Sequence, residues 1–108
     1  MRNLFKMLND HFTSKGYPVI IGEYAAQQRT ISGDQDKHNA SVKLFHKTVV
    51  REAICHGVIP VAWCTNYCNN NGTRGSMTII DRSTLSIWNT FAMEGITEGV
   101  AAAQWPAK

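Results

Sequence analysis

No apolar run in this sequence approaches the length of a bilayer span, so no membrane-crossing helix is expected. The first residues, Met1 to Phe12, carry positive charge but no continuous apolar core, and they do not read as a signal peptide. Charge is scarce as well. Charged residues make up 18%, the formal charge is +3, and Arg2, Lys6, Lys15, Lys43, Lys47, Arg51, Arg74 and Arg82 lie scattered. Without a dense basic run to hold phosphates, a nucleic-acid partner is not expected. Cys55, Cys64 and Cys68 leave at least one thiol unpaired within the chain, and the C-x3-C pair lacks the second pair or flanking histidine that would complete a zinc site. His11, His38, His46 and His56 show no metal-ligand spacing, so neither a metal nor another cofactor is expected. Neither G-x-G-x-x-G nor G-x4-G-K-[ST] occurs, which argues against a nucleotide-binding α/β domain. What remains is 108 residues with 44% hydrophobic content, the make-up of one soluble globular domain or part of one.

Leu4, Phe5, Leu8 and Phe12 recur at helical spacing over residues 3–15. Gly16 then stands where a helix C-terminal glycine belongs, and Pro18 prevents continuation. Val19 to Ile21 is a β-branched run suited to a buried parallel strand. From Gln27 to Asn39 the chain turns polar, with a turn signal at Ser32-Gly33-Asp34. A second helix is predicted from about Ala40 to His56, with Val42, Phe45, Val49 and Ala53 on one side. Val58 to Trp63 is a second buried strand, and a polar loop follows from Cys64 to Ser76. Met77 to Ile80 reads as extended. Asp81 or Ser83 can then cap a third helix, from about Thr84 to Ala103, with Leu85, Trp88, Ala92 and Ile96 inward.

Strands alternating with helices argue for a parallel sheet with crossover helices. Two strands this apolar cannot stand alone with open edges. Each ends in a functional-looking residue, Glu23 or Trp63, followed by a long loop, and these lie one βα repeat apart. That is the face of a (β/α)8 barrel on which active sites are built. The expected fold is α/β, a portion of such a TIM barrel with two parallel strands and three helices. Taken alone, Glu23 reads first as an ordinary strand-end acid, solvated or pairing with Arg29, and Trp63 reads either as a core ring or as a sugar-stacking face. Asn66 reads as a turn residue, and Asp81 and Arg82 as a brace for the last helix. Trp88 and Phe91 read as core, and Trp105 is assigned no site.

Three motifs change that balance. Ile20-Ile21-Gly22-Glu23-Tyr24, Val61-Ala62-Trp63, and Ile79-Ile80-Asp81-Arg82 followed by Trp88 stand in the order found at the C-terminal end of family-5 glycoside hydrolases. The chain resembles that family, the endoglucanases and related retaining β-glycanases, from the sixth barrel helix to the eighth. The resemblance implies that residues 1–108 are a partial catalytic barrel domain acting on β-glucan, with a secreted or periplasmic parent enzyme. It implies Glu23 as the nucleophile of a double displacement and Trp63 as a sugar-stacking platform, with Asn66, Tyr24 and Arg29 as further substrate-binding candidates. The family's acid/base lies in an Asn-Glu-Pro motif, and none occurs here. Trp63-Cys64-Thr65-Asn66 also stands where the family often has Trp-Asp-Asn-Gly. The chain alone is therefore expected to be inactive, and its partner is expected to be the remainder of a barrel or a second copy. The other reading is a catalytically incomplete carbohydrate-binding or structural fragment.

Overall fold

The computed structural model describes residues 1–65 and 76–107. Helix α1 spans Arg2–His11, and one 3₁₀ turn at Thr13–Lys15 carries the chain to Gly16. Gly16 takes the left-handed conformation, φ 86°, that glycine adopts without steric cost. Strand β1 (Val19–Tyr24) and strand β2 (Val58–Ala62) pair in parallel, joined by helix α2 (Gln35–Cys55) as the crossover. A two-stranded antiparallel hairpin follows, β3 (Ile80–Asp81) with β4 (Ser86–Ile87), and helix α3 (Thr90–Ala102) closes the fold. The expected parallel pair and three helices are present.

Two boundaries differ from the sequence expectation. Helix α2 begins at Gln35 because Asp34 Oδ1 accepts the Lys37 backbone N–H at 3.0 Å. Its first turn is polar, so apolar periodicity does not reveal it. Helix α3 begins at Thr90, capped by Asn89, whose Oδ1 accepts the Ala92 N–H at 3.0 Å. Asp81 instead closes the hairpin turn, its Oδ1 accepting from the Ser83 N–H and hydroxyl at 3.0 and 2.6 Å. Leu85 lies in that turn with φ 57° and is 87% exposed, so it is not an inward helix residue. Trp88 precedes the cap, and its N–H donates to Ile79 O at 2.8 Å.

The core lies between the sheet and the helices. Phe5, Val49, Ala53 and Val58 are buried together, with Val19, Ile21, Tyr24 and Phe45 packed against them. A second cluster of Val42, Ile79 and Ala92 joins α2, α3 and the hairpin approach. In α1, only Phe5 of the expected apolar stripe is fully buried, while Leu4 and Phe12 remain exposed.

Strand alternation sends Val19, Ile21, Val58 and Pro60 toward the helices and Ile20, Ile59 and Val61 to the other side. Those last three are 60%, 47% and 44% exposed, and no described strand pairs with either outer edge of the sheet. Such an apolar, unpaired surface is a template for association. The 108-residue chain is expected to self-associate at micromolar concentration, with Ile59→Lys shifting it toward monomer in sedimentation velocity. A soluble monomer with protected amides in both strands would contradict this.

Candidate active site

The carboxylate reaches the open face through a break in the register. Ile21 pairs with Pro60, but the next pair is Tyr24 with Ala62, so β1 spends three residues where β2 spends two. This is a bulge, and it shifts the phase of alternation by one residue. In an unbroken strand Glu23 would follow Val19 and Ile21 toward the helices. With the bulge, Gly22 and Glu23 are both exposed, as Ile20 is, and Tyr24 turns back to the core. Glu23 has no hydrogen-bond or ion-pair partner among the described residues. A carboxylate presented this way has a rigid backbone and unused lone pairs.

Trp63 follows β2 in the same phase as Ile59 and Val61 and is 44% exposed. Its N–H donates to Tyr24 O at 2.8 Å, which ties the end of β2 to the end of β1. An aromatic face and a free carboxylate thus stand on adjoining strand ends.

Tyr24 lies behind this surface. Its ring centroid is 5.5 Å from that of His46 and 6.4 Å from that of Phe45, both on α2. Burial pushes the Tyr24 hydroxyl up to about 12, so it stays protonated at neutral pH. His46 is 1% exposed, and neither ring nitrogen has a partner among the described residues. Desolvation of the charged ring lowers its pKa from the ordinary 6.5. The folded pKa lies below the unfolded one, so the unfolded state binds the proton first. Stability is therefore constant above pH 6.5 and falls as pH drops from 6.5 through the lowered pKa. The unfolding temperature should decline across that window, before ordinary carboxylates titrate. His46→Leu should flatten the decline, because an apolar side chain of similar size leaves no buried nitrogen unpaired. Thermal unfolding of both proteins between pH 7 and about pH 5 checks this.

The loop after β1 is fastened to the start of α2 and to the far side of the long loop. Gln28 and Ser76 exchange backbone hydrogen bonds of 2.8 and 2.9 Å. Gln35 receives the Ile31 N–H and donates to Arg29 O, at 3.0 and 2.9 Å, and His38 Nε2 accepts the Arg29 N–H at 3.1 Å. The Arg29 guanidinium donates to Gln27 Oε1 at 3.0 and 2.6 Å rather than pairing with Glu23. Arg29 is exposed at the rim. Asn66 lies outside the described residues, as does most of the predicted polar loop. Glu23 and Trp63 thus lie at or just past the ends of the two paired strands, Tyr24 packs against the core, and Arg29 bonds to Gln27 instead of Glu23. The bulge was not drawn from the sequence, although a glycine inside a strand pattern is its signal. Among the described residues, no group of His, Cys, Asp or Glu could hold a metal, and no helix is long and apolar enough to cross a membrane.

A parallel βαβ unit with polar and aromatic side chains past its C-terminal strand ends matches the repeat from which (β/α)8 barrels build their active-site face. Relatives agree. A family-5 xyloglucan-specific β-1,4-glucanase from a ruminal metagenomic library, solved in complex with XXLG, is 54% identical and superposes with a TM-score of 0.91. The match covers 98% of this chain and 28% of that one. A family-5 lichenase from Caldicellulosiruptor sp. F32 is 27% identical with a TM-score of 0.71, over 90% of this chain and 24% of its own. Endoglucanase B of Neocallimastix patriciarum is 30% identical over 93 residues, 86% of this chain and 18% of that protein. No family model matches. The chain is similar over nearly its whole length to family-5 glycoside hydrolases, and it spans about a quarter of the length of these solved barrels.

Proposed function

We propose that this chain is the part of a retaining β-1,4-glucanase that carries the nucleophile, Glu23, and one sugar platform, Trp63. In that barrel β1 and β2 take the places of the seventh and eighth strands. The supporting observation is the bulge between Ile21 and Tyr24, which turns an unpartnered carboxylate onto the face shared with Trp63. In a double displacement, an ionised carboxylate attacks the anomeric carbon while a second carboxyl group, about 5 Å away, protonates the leaving oxygen. Water then cleaves the glycosyl ester with the second group acting as base. Glu23 takes the first role, and the rest of the barrel supplies the second. The apolar C–H face of a pyranose stacks on Trp63. Tyr24, wedged against His46 and Phe45, holds the strand end in place, and Arg29 offers polar contacts to sugar hydroxyls from the rim. Similarity to a xyloglucan-specific enzyme at 54% identity favours xyloglucan as the polymer and a parent enzyme that meets it outside the cell.

The test is a transplant. The matching segment of the ruminal xyloglucanase is replaced by residues 1–108, and xyloglucan hydrolysis is followed by NMR of the product anomers. The chimera should release products with retained β configuration, and the 108-residue chain alone should show only trace turnover, since a nucleophile without its proton donor cannot expel the leaving sugar. A folded chimera that is silent or inverting would refute the proposal, as would robust turnover by the chain alone.

A further inference from the structure

We propose that this chain carries a second carbohydrate-binding site, built on Trp105 and Tyr17 at the end of the sheet opposite Glu23. The choice of a β-glucan as its ligand rests on the hydrolase reading above; the site itself does not. A depression of about 630 Å³ lies where the chain enters the two strands, bounded by Asn9, Thr13, Ser14, Tyr17, Trp105 and Pro106. Pro18 and Glu23 stand at opposite ends of β1, about 17 Å apart at the usual strand rise. A ligand here therefore does not touch the carboxylate.

Three features define the chemistry of the ligand. First, Trp105 and Tyr17 are 53% and 62% exposed, leaving two aromatic faces uncovered at the rim. Leaving such rings in water forgoes their burial, which a stacked partner would recover. Second, among the described residues no charged side chain lines the depression. That composition disfavours a phosphate, a metal ion or a charged peptide, each of which would need a compensating charge. Third, its polar groups are amide and hydroxyl. Asn9 Nδ2 donates to Thr13 Oγ1 at 2.8 Å and to His56 O at 3.1 Å, and the Thr13 hydroxyl donates to His56 O at 2.7 Å. These bonds fix the Asn9 amide and leave its Oδ1 accepting nothing among the described residues. An uncharged polyol with one apolar face meets all three conditions: its C–H face lies on a ring and its hydroxyls reach the amide and hydroxyl groups.

The wall is also preformed. Gly16 holds the turn at φ 86°, and Pro18 fixes the entry to β1. At Gly57 a Cβ would stand 3.2 Å from Thr13 Cβ and 3.7 Å from Pro106 Cγ, so the bare glycine backbone lets Pro106 and Thr13 close over the floor. Trp105 is thereby anchored through its neighbour. This geometry would let the protein hold a polymer at two points, raising the local concentration of chain at the catalytic face.

Cellohexaose is titrated into the 108-residue chain carrying Ile59→Lys, the substitution expected to keep it monomeric, with binding read by calorimetry and tryptophan fluorescence, and the fold of each further variant is checked by circular dichroism. Trp105→Ala and Tyr17→Ala should each weaken binding about tenfold. Trp105→Phe should retain most of it, and Trp63→Ala should leave a component that still depends on Trp105. Unchanged affinity in both Trp105→Ala and Tyr17→Ala would overturn the second site. Binding lost in Trp63→Ala alone would do so while leaving the hydrolase reading intact. Trp105-dependent binding beside a folded but hydrolytically silent chimera would support this site and remove the hydrolase reading instead.

Discussion

Glu23→Ala, made in a complete barrel carrying this segment, is expected to lower kcat by about 10⁴-fold or more. Its thermal stability should change little, because Glu23 makes no hydrogen bond or ion pair with any described residue and is exposed. Surface substitutions without such contacts usually shift stability by no more than about 0.5 kcal/mol. Azide should restore turnover by attacking from the vacated side, yielding the glycosyl azide of inverted configuration. An acid kept only for structure would behave in the opposite way, losing stability and sparing rate. Steady-state kinetics with and without azide, beside thermal unfolding, separates the two.

Gly95→Ala is expected to give the largest loss of stability. Helix α3 approaches α2 through Gly95 and Gly99, one turn apart. A Cβ at Gly95 would fall against the Lys43 carbonyl oxygen and come within 3.0 Å of His46 Cβ. At Gly99 it would lie 2.8 Å from Lys47 O and 2.9 Å from Val50 Cβ. Two of these atoms are α2 backbone carbonyl oxygens and the other two are Cβ atoms fixed directly to that backbone, so none can rotate away as a side-chain tip can. The helices must therefore separate, opening the cluster of Val42, Ile79 and Ala92 and loosening the Lys43–Glu98 and Lys47–Glu98 ion pairs of 3.1 and 3.6 Å. Overpacking of this kind costs about 1–3 kcal/mol or more. Alanine's helix preference over glycine returns about 1 kcal/mol, so the net effect is destabilising. Gly33→Ala is the control, since a Cβ there meets nothing within 4 Å. Denaturant unfolding of the three proteins checks the order: wild type and Gly33→Ala together, Gly95→Ala well below.

The strands were legible because they are short, β-branched and apolar on both faces, a pattern that only a doubly covered parallel sheet satisfies. Glu23 and Trp63 were legible as strand-end residues, and the order of three motifs around them gave the family. The face that Glu23 occupies was not legible from alternation, which counts Val19, Ile21 and Glu23 onto one side. One extra residue at Gly22 and Glu23 reverses that count. The start of α3 was misread for a related reason. Leu85 and Trp88 fit a helical period with Ala92, but Leu85 sits in a hairpin turn and Asn89 caps the helix after both. His46 lies on the same helix face as Val42 and Val49, where sequence shows a histidine without a metal pattern. Only the packing of Tyr24 above it reveals a fully buried ring with no polar partner among the described residues.

If the bulge presents Glu23 to the anomeric carbon, a trapped glycosyl-enzyme must carry its sugar on that side chain. The complete barrel carrying residues 1–108 is treated with a 2-deoxy-2-fluoro-β-cellobioside bearing a dinitrophenyl leaving group, digested, and mapped by mass spectrometry. The expected result is a single glycosyl ester on the Glu23 side chain, absent from Glu23→Gln. An ester on another carboxylate, or a folded and active barrel that accumulates no ester at all, would contradict it.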